Sequence, residues 1–348
     1  MNKMLAGKTL AATLLALMLA VAGVSFAQNA DKPGQGTTVH PAIPTWQSAL
    51  PVQAIFTNLL EELGYEVAEP VPLSNPIFYQ SVVQGDVDYW PSGWFPLHNA
   101  QLPENFDENA SKVGTIVKNG AIEGYLVSKD AAEKYDITSL ADFKRPEVKK
   151  AFDANGDGKA DLVGCPPGWG CHVATNFHLD TYDLRDDINI IQAAYAASFA
   201  DVLARYRNGE PVLYYTWTPN FTIYKLVPGE DVVWINVPKI VPSEAQEGLE
   251  ESMIAHGLKG AVTDPIKLGF VANDIRVVAN NDFLDANPAA EQLFKEVKIP
   301  LDDISAMTAR IVDGEDSEQA IAGMAADWIS DHQDEVDGWL EAARQAAD

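Results

Sequence analysis

The amino-acid sequence predicts an α/β protein of two lobes with a ligand cleft between them. Three observations predict it. Strand and helix patterns alternate from residue 37 onward, a second alternating block begins near Gly124, and a strand pattern at residues 276–279 returns toward the first block. Lobes joined more than once leave a cleft, a common place for a ligand. The 348 residues, 47% of them hydrophobic, suffice for two cores rather than one.

The first residues read as an address. Lys3 and Lys8 supply a positive start, residues 10–24 are apolar, and Ser25-Phe26-Ala27 is a small-x-small cleavage site. A mature chain is expected to begin near Gln28. No Cys follows the apolar stretch, which points to a soluble periplasmic protein over a lipid-anchored one. The expected organisation is a leader over 1–27, a linker over 28–36, one lobe from 37–122 plus 270–348, and a second lobe from 123–269.

Within the first lobe, residues 37–43 read as a strand. Residues 51–63 place Val52, Ile55, Phe56, Leu59, Leu60 and Leu63 on one helical face. A strand over 66–73, a helix over 75–84 and a strand over 87–90 complete a βαβαβ opening, the sign of a parallel sheet. In the second block the strands fall at 125–128, 161–163, 212–215 and 232–237. Its helices fall at 129–135, 171–180 and 199–208. Residues 317–346 read as a terminal helix interrupted by Gly323 and Gly338.

Lys and Arg number 24 against 50 Asp and Glu, a formal charge of −26. Such a surface repels polyanions, which makes nucleic acid and anionic lipid poor partners. A monomer is expected, because this surface offers no sticky stripe, and no apolar run beyond the leader suggests membrane insertion. Cys165 and Cys171 flank a Pro/Gly turn, and in an oxidising compartment they are expected to form a disulfide.

Eight tryptophans need a reading each. Trp234, in a strand, and Trp328 with Trp339, eleven residues apart and so on one helical face, read as core packing. Trp46, Trp90, Trp94, Trp169 and Trp217 instead fall at or just after the carboxyl ends of expected strands, beside Pro, Gly or Thr. In open α/β sheets that is the rim where ligands sit. A quaternary ammonium has no N–H to donate, yet indole faces hold it by cation–π attraction. A cation cage, a sugar-stacking site and scattered packing all remain open on spacing alone.

Three motifs carry a resemblance. Gly93-Trp94-Phe95-Pro96-Leu97-His98, the run from Gly156 through Gly164-Cys165-Pro166-Pro167-Gly168-Trp169-Gly170-Cys171, and Tyr214-Tyr215-Thr216-Trp217-Thr218-Pro219 resemble the ProX family of periplasmic glycine betaine and proline betaine binding proteins of ABC importers. The similarity runs over essentially the whole mature chain. It implies a two-lobed periplasmic-binding-protein fold of type II, a small trimethylammonium ligand and a permease as partner. It also implies a cage of Trp94, Trp169 and Trp217, with His98 and the backbone N–H groups of Gly170 and Cys171 on the ligand's anionic end. Cys171 opens an expected helix, and helix N-termini present N–H groups to anions.

Two residues depart from that pattern. Glu123 stands where the betaine binders have a neutral amide, and Trp46 stands where they lack an evident Trp. If both face the cleft, the site gains a fourth aromatic wall and a carboxyl group, which suits trimethylamine N-oxide or choline as well as a betaine. Glu123 facing solvent or paired with a hinge cation is the alternative. Dimethylsulfoniopropionate and, further off, a sugar complete the ligand alternatives, and a protein that presents its ligand to a sensor remains an alternative role.

Residues 153–161 resemble the first nine positions of an EF-hand loop. Asp153, Asn155 and Asp157 occupy ligand positions, with Asp161 ninth, yet position 12 is Gly164 in place of a bidentate Glu. Structural calcium is one expectation and a self-bonded Asn/Asp/Gly turn the other; no further cofactor is implied. The chain has no Gly-x-Ser-x-Gly, P-loop, dinucleotide fingerprint or His-Glu-x-x-His, so no enzyme is expected.

Overall fold

The structure, a computed structural model, describes residues 31–347. The expected leader over 1–27 and the first residues of the expected linker lie outside the described residues. Residues 31–36 are not a free linker but a turn docked on the body. Gly34 N donates to Leu63 O at 2.9 Å, and Gly34 lies so close to the Tyr65 ring that a Cβ would fall 2.4 Å from it.

The first helix, Ala49–Glu62, buries the face its spacing predicts, with Val52, Ile55, Phe56, Leu59 and Leu60 inside. The strand expected over 37–43 is split. Thr38–Val39 pairs in parallel with Glu66–Val67, and Ala42–Ile43 with Val71–Pro72. Pro41, Pro70 and Pro72 lack the N–H a continuous ladder needs. The helix Asn75–Gln84 has its predicted bounds, with proline in its first turn and Gly85 at φ 77° closing it in the left-handed region.

The main sheet of this lobe is antiparallel where the alternating pattern predicts parallel. Asn273–Asn280 lies between Tyr89–Phe95 and Ala110–Ala121, antiparallel to both. The sequence reading misses Ala110–Ala121, because two register shifts against Asn273–Asn280 break its inside-outside alternation. Within it Gly114 has φ 59°, and a Cβ there would meet the Phe294 carbonyl oxygen at 2.0 Å.

In the second lobe five strands run in the order Val232–Ile235, Glu123–Ser128, Leu213–Trp217, Ala160–Val163, Ile188–Ile191. Glu123–Ser128 is antiparallel to both its neighbours and the remaining pairs are parallel. The helices Lys129–Tyr135, Gly170–Thr181 and Tyr195–Arg207 cover this sheet's connections close to their expected positions. Trp234 is buried in its strand as expected.

The C-terminal helix breaks elsewhere than predicted. Glu318–Asp331 and Gln333–Ala346 meet at His332, while Gly323 and Gly338 sit exposed inside the two helices. Trp328 and Trp339 therefore do not share one helical face. They stack across the junction at 6.4 Å, with the His332 ring laid on Trp328 at 4.2 Å. Among the described residues no helix is long and apolar enough to cross a membrane.

Candidate ligand site between the lobes

A cavity lies between the two sheets. The first lobe lines it with Trp46, Trp94, Leu97 and His98; the second with Glu123, Trp169, Gly170, Cys171, Tyr215 and Trp217. Of the residues singled out from the sequence, Trp46, Trp94, His98, Glu123, Trp169, Gly170, Cys171 and Trp217 are brought together here and Trp90 is not. Leu97 and Tyr215 were not foreseen, although Tyr215 lies two residues before Trp217 on one strand and so on the same face.

Each tryptophan is held by local structure. Trp94 lies near the end of Tyr89–Phe95, four residues after Trp90 and beyond a register shift against Asn273–Asn280. Trp90 itself is not on the rim. It is fully buried, stacked on Phe78 at 3.8 Å, and backs Trp46 edge-on at 5.9 Å. Trp46 meets Trp169 at 5.4 Å and 78°, and Trp169 meets Trp217 at 5.6 Å and 85°, a run of edge-to-face contacts. Tyr195 packs behind Trp217 at 4.7 Å. The indole N–H of Trp169 donates to Thr45 Oγ1 at 2.8 Å and that of Trp217 to Ser48 Oγ at 3.4 Å, both across the cleft.

Trp169 is also the residue before the helix Gly170–Thr181, and it offers that helix no side-chain cap. The first N–H groups of a helix have no partner within it, so those of Gly170 and Cys171 begin a helix terminus at the cavity wall. Gly170 is required there, since a Cβ would fall 2.9 Å from Leu97 Cγ and 3.0 Å from His98 Cδ2. The expected disulfide joins Cys165 to Cys171 and closes the loop that carries Trp169.

The polar groups differ from expectation. His98 Nδ1 accepts the Trp94 N–H at 3.2 Å and lies 2.6 Å from Tyr79 OH, which places the ring proton on Nε2. Nε2 in turn lies 2.9 Å from the Asn75 side-chain amide, which also donates to Gln101 Oε1 at 3.0 Å. Burial pushes the imidazole down to about 3, so the ring is neutral. Both nitrogens are thus engaged by protein groups.

Glu123 neither faces solvent nor pairs with a cation. It opens the strand Glu123–Ser128 where the chain crosses from one sheet to the other, opposite Trp217 in register, and is 1% exposed. Tyr215 OH donates to Oε1 at 2.5 Å and Asn273 Nδ2 to Oε2 at 3.0 Å. Desolvation raises the carboxyl from 4.5 to about 7, against the lowering effect of these two donors. Among the described residues no lysine or arginine lines the cavity.

The loop at 153–161 is closed by its own hydrogen bonds. Asp153 accepts from the N–H groups of Gly156, Asp157 and Gly158, and Asn155 Oδ1 from Asp157 N. Asp157 accepts from Lys159 N, and Asp161 from Ala154 N and the Asn155 and Asn189 amides. These bonds are those of an Asn/Asp/Gly turn.

Residues 37–331 match the family described as the substrate binding domain of ABC-type glycine betaine transport systems. The chain is 41% identical over 318 residues to the glycine betaine-binding periplasmic protein OusX of Dickeya dadantii, covering 91% of this chain and 93% of that one. It is 39% identical over 319 residues to the glycine betaine/proline betaine-binding periplasmic protein of Escherichia coli, with the same coverage. Among solved structures, lactococcal OpuAC in its closed form with glycine betaine superposes with a TM-score of 0.66 at 20% identity, over 87% of this chain and 99% of that one. This likeness establishes the two-lobed fold.

Proposed function

The chain belongs to the family of substrate-binding domains of ABC-type glycine betaine transport systems, and from that premise we propose that its cavity captures one small trimethylammonium solute, glycine betaine foremost, for delivery to a membrane permease. The observation that carries this reading is the set of four tryptophans, drawn from both lobes, around a cavity that, among the described residues, no lysine or arginine lines. Indole faces attract a cation that has no N–H to donate, each contributing about 0.5 to 2 kcal/mol when water is excluded. Because the walls come from two lobes, the ligand favours the closed state over the open one and thereby drives closure.

The residues take distinct roles in this reading. Trp94, Trp169 and Trp217 surround the ammonium, with Trp46 as a fourth wall. The N–H groups of Gly170 and Cys171 receive the ligand's anionic oxygen at the helix terminus. His98, its nitrogens already engaged, braces the Trp94 backbone. The named relatives are periplasmic, and we place this chain there too, acting as a monomer on its permease. Glu123 favours a second reading, in which trimethylamine N-oxide or choline is preferred, because a carboxyl can donate to an N-oxide or accept from a hydroxyl.

Titration calorimetry on the mature chain with glycine betaine, trimethylamine N-oxide, choline and a neutral sugar tests both. Tight betaine and weaker N-oxide and choline binding is the expected order. The reverse order favours the second reading, and sugar binding with no quaternary ammonium binding overturns both.

A further inference from the structure

We propose that Glu123 sets the net charge of the ligand the cavity accepts by exchanging a proton with solvent: it stays ionised beside a net-cationic trimethylammonium ligand and takes up one proton beside a net-neutral one. The proposal rests on the reading of the cavity as a trimethylammonium site.

The argument begins with the surroundings of the carboxyl. Tyr215 and Asn273 are its hydrogen-bond partners, and Asn273 is fixed in turn because its Oδ1 accepts the Leu97 N–H at 2.9 Å. The titratable groups facing the carboxyl are Tyr215 on Leu213–Trp217, Tyr125 on its own strand and His98 on the turn after Tyr89–Phe95. Burial raises both tyrosines well above their ordinary range and lowers His98, so all three are neutral near pH 7. Cys171 is held in a disulfide and does not titrate. Glu123 is therefore the one group lining this cavity that changes charge near neutrality.

A buried site tolerates one uncompensated charge poorly and a matched pair far better. Choline brings a net positive charge, which the ionised carboxylate balances. Glycine betaine and trimethylamine N-oxide bring none, and the protonated carboxyl leaves the occupied cavity neutral. Each ligand then sees only the fraction of protein in its matching protonation state, and its apparent affinity scales with that fraction. With the carboxyl raised to about 7, both states are populated at neutral pH. Proton uptake with betaine and proton release with choline follow from the same linkage.

The test is calorimetry of the mature chain at pH 7 with glycine betaine and with choline, each in phosphate and in Tris, whose ionisation heats differ. The expected result is buffer-dependent heats of opposite sign, about half a proton taken up with betaine and about half released with choline. From pH 6 to pH 8 the ratio of choline to betaine affinity should rise about a hundredfold. Glu123→Gln should abolish both effects. Should that variant fail to fold, Tyr215→Phe, which removes a donor to the ionised form, should move the affinity crossover to higher pH. Buffer-independent heats while both ligands bind, or no choline binding even at pH 9, overturn the proposal and leave the trimethylammonium reading standing. No binding of any quaternary ammonium or N-oxide ligand overturns the reading and the proposal together.

Discussion

The indole N–H of Trp169 reaches across the cleft to Thr45 Oγ1 at 2.8 Å. Thr45 belongs to the segment before the first helix, and Trp169 to the disulfide-closed loop of the other lobe. Ser48, one turn further on, stands in the same relation to Trp217. Two of the tryptophans that line the cavity thus receive their hydrogen-bond acceptors from the opposite lobe. An indole N–H that is hydrated when the lobes part is satisfied by a hydroxyl when they close, so closure costs these rings no lost hydrogen bond.

Thr45→Val keeps the branched shape and removes the acceptor. The Trp169 N–H is then buried without a partner in the closed state, at a cost of about 1 to 3 kcal/mol. Ligand affinity should fall by about five- to 150-fold by calorimetry, while the melting temperature of the ligand-free chain moves little. An unchanged affinity would show that this bond does not contribute to closure.

Trp94→Leu retains an apolar wall and deletes one π face. A cation–π contribution of about 0.5 to 2 kcal/mol predicts a two- to thirtyfold loss for glycine betaine. The control is its tert-butyl analogue, 3,3-dimethylbutyrate, which keeps the carboxylate and lacks the ammonium charge. If charge on the ligand matters, the wild type prefers betaine over the analogue and the variant narrows that preference; equal losses for both ligands would reduce the wall to simple packing.

Much of this site is legible in the sequence because a strand end beside Pro or Gly fixes where a side chain sits before any long-range contact is known. Trp46, Trp94, Trp169 and Trp217 are singled out for that reason, and all four line the cavity. Trp90 obeys the same rule and still lies in the second layer, since its place depends on Phe78, which stacks on it from the helix Asn75–Gln84. The fate of His98 is likewise decided by Tyr79 and Asn75 on that helix. A local pattern cannot announce a hydrogen bond spanning about twenty residues. The strand Ala110–Ala121 escapes notice because its register shifts disturb the period of two, and the break at His332 because the two glycines, the breakers visible in the sequence, sit inside intact helices.

Removing the Cys165–Cys171 bond should loosen the loop that carries Trp169. Closing a loop of this length constrains the unfolded chain by about 2 kcal/mol in the chain-entropy account. The double substitution Cys165→Ser with Cys171→Ser is therefore expected to lower the melting temperature by a few degrees. It should also weaken ligand binding, because Trp169 and Gly170 lie within the closed loop. Thermal denaturation with and without reductant checks the first effect on the unmodified chain, and an identical melt in both would contradict it.

Glu123 also links folding stability to pH, with a sign opposite to that of an ion-paired carboxylate. Its carboxyl is raised from 4.5 to about 7 in the folded chain. Between those values the folded protein retains a proton that the unfolded chain has lost. Its contribution is therefore complete below about 4.5, declines as pH rises toward 7, and is constant above that. A shift of this size corresponds to about 3 kcal/mol. The other carboxylates impose their own slopes at acid pH, so the informative quantity is the difference between wild type and Glu123→Gln. That difference should change by about 3 kcal/mol between pH 4.5 and pH 8, in favour of the variant at the higher pH, when urea unfolding is followed at several pH values. A difference that stays flat across this range would mean that the carboxyl titrates alike in the folded and unfolded chains, and that Tyr215 and Asn273 hold it ionised as well as water does.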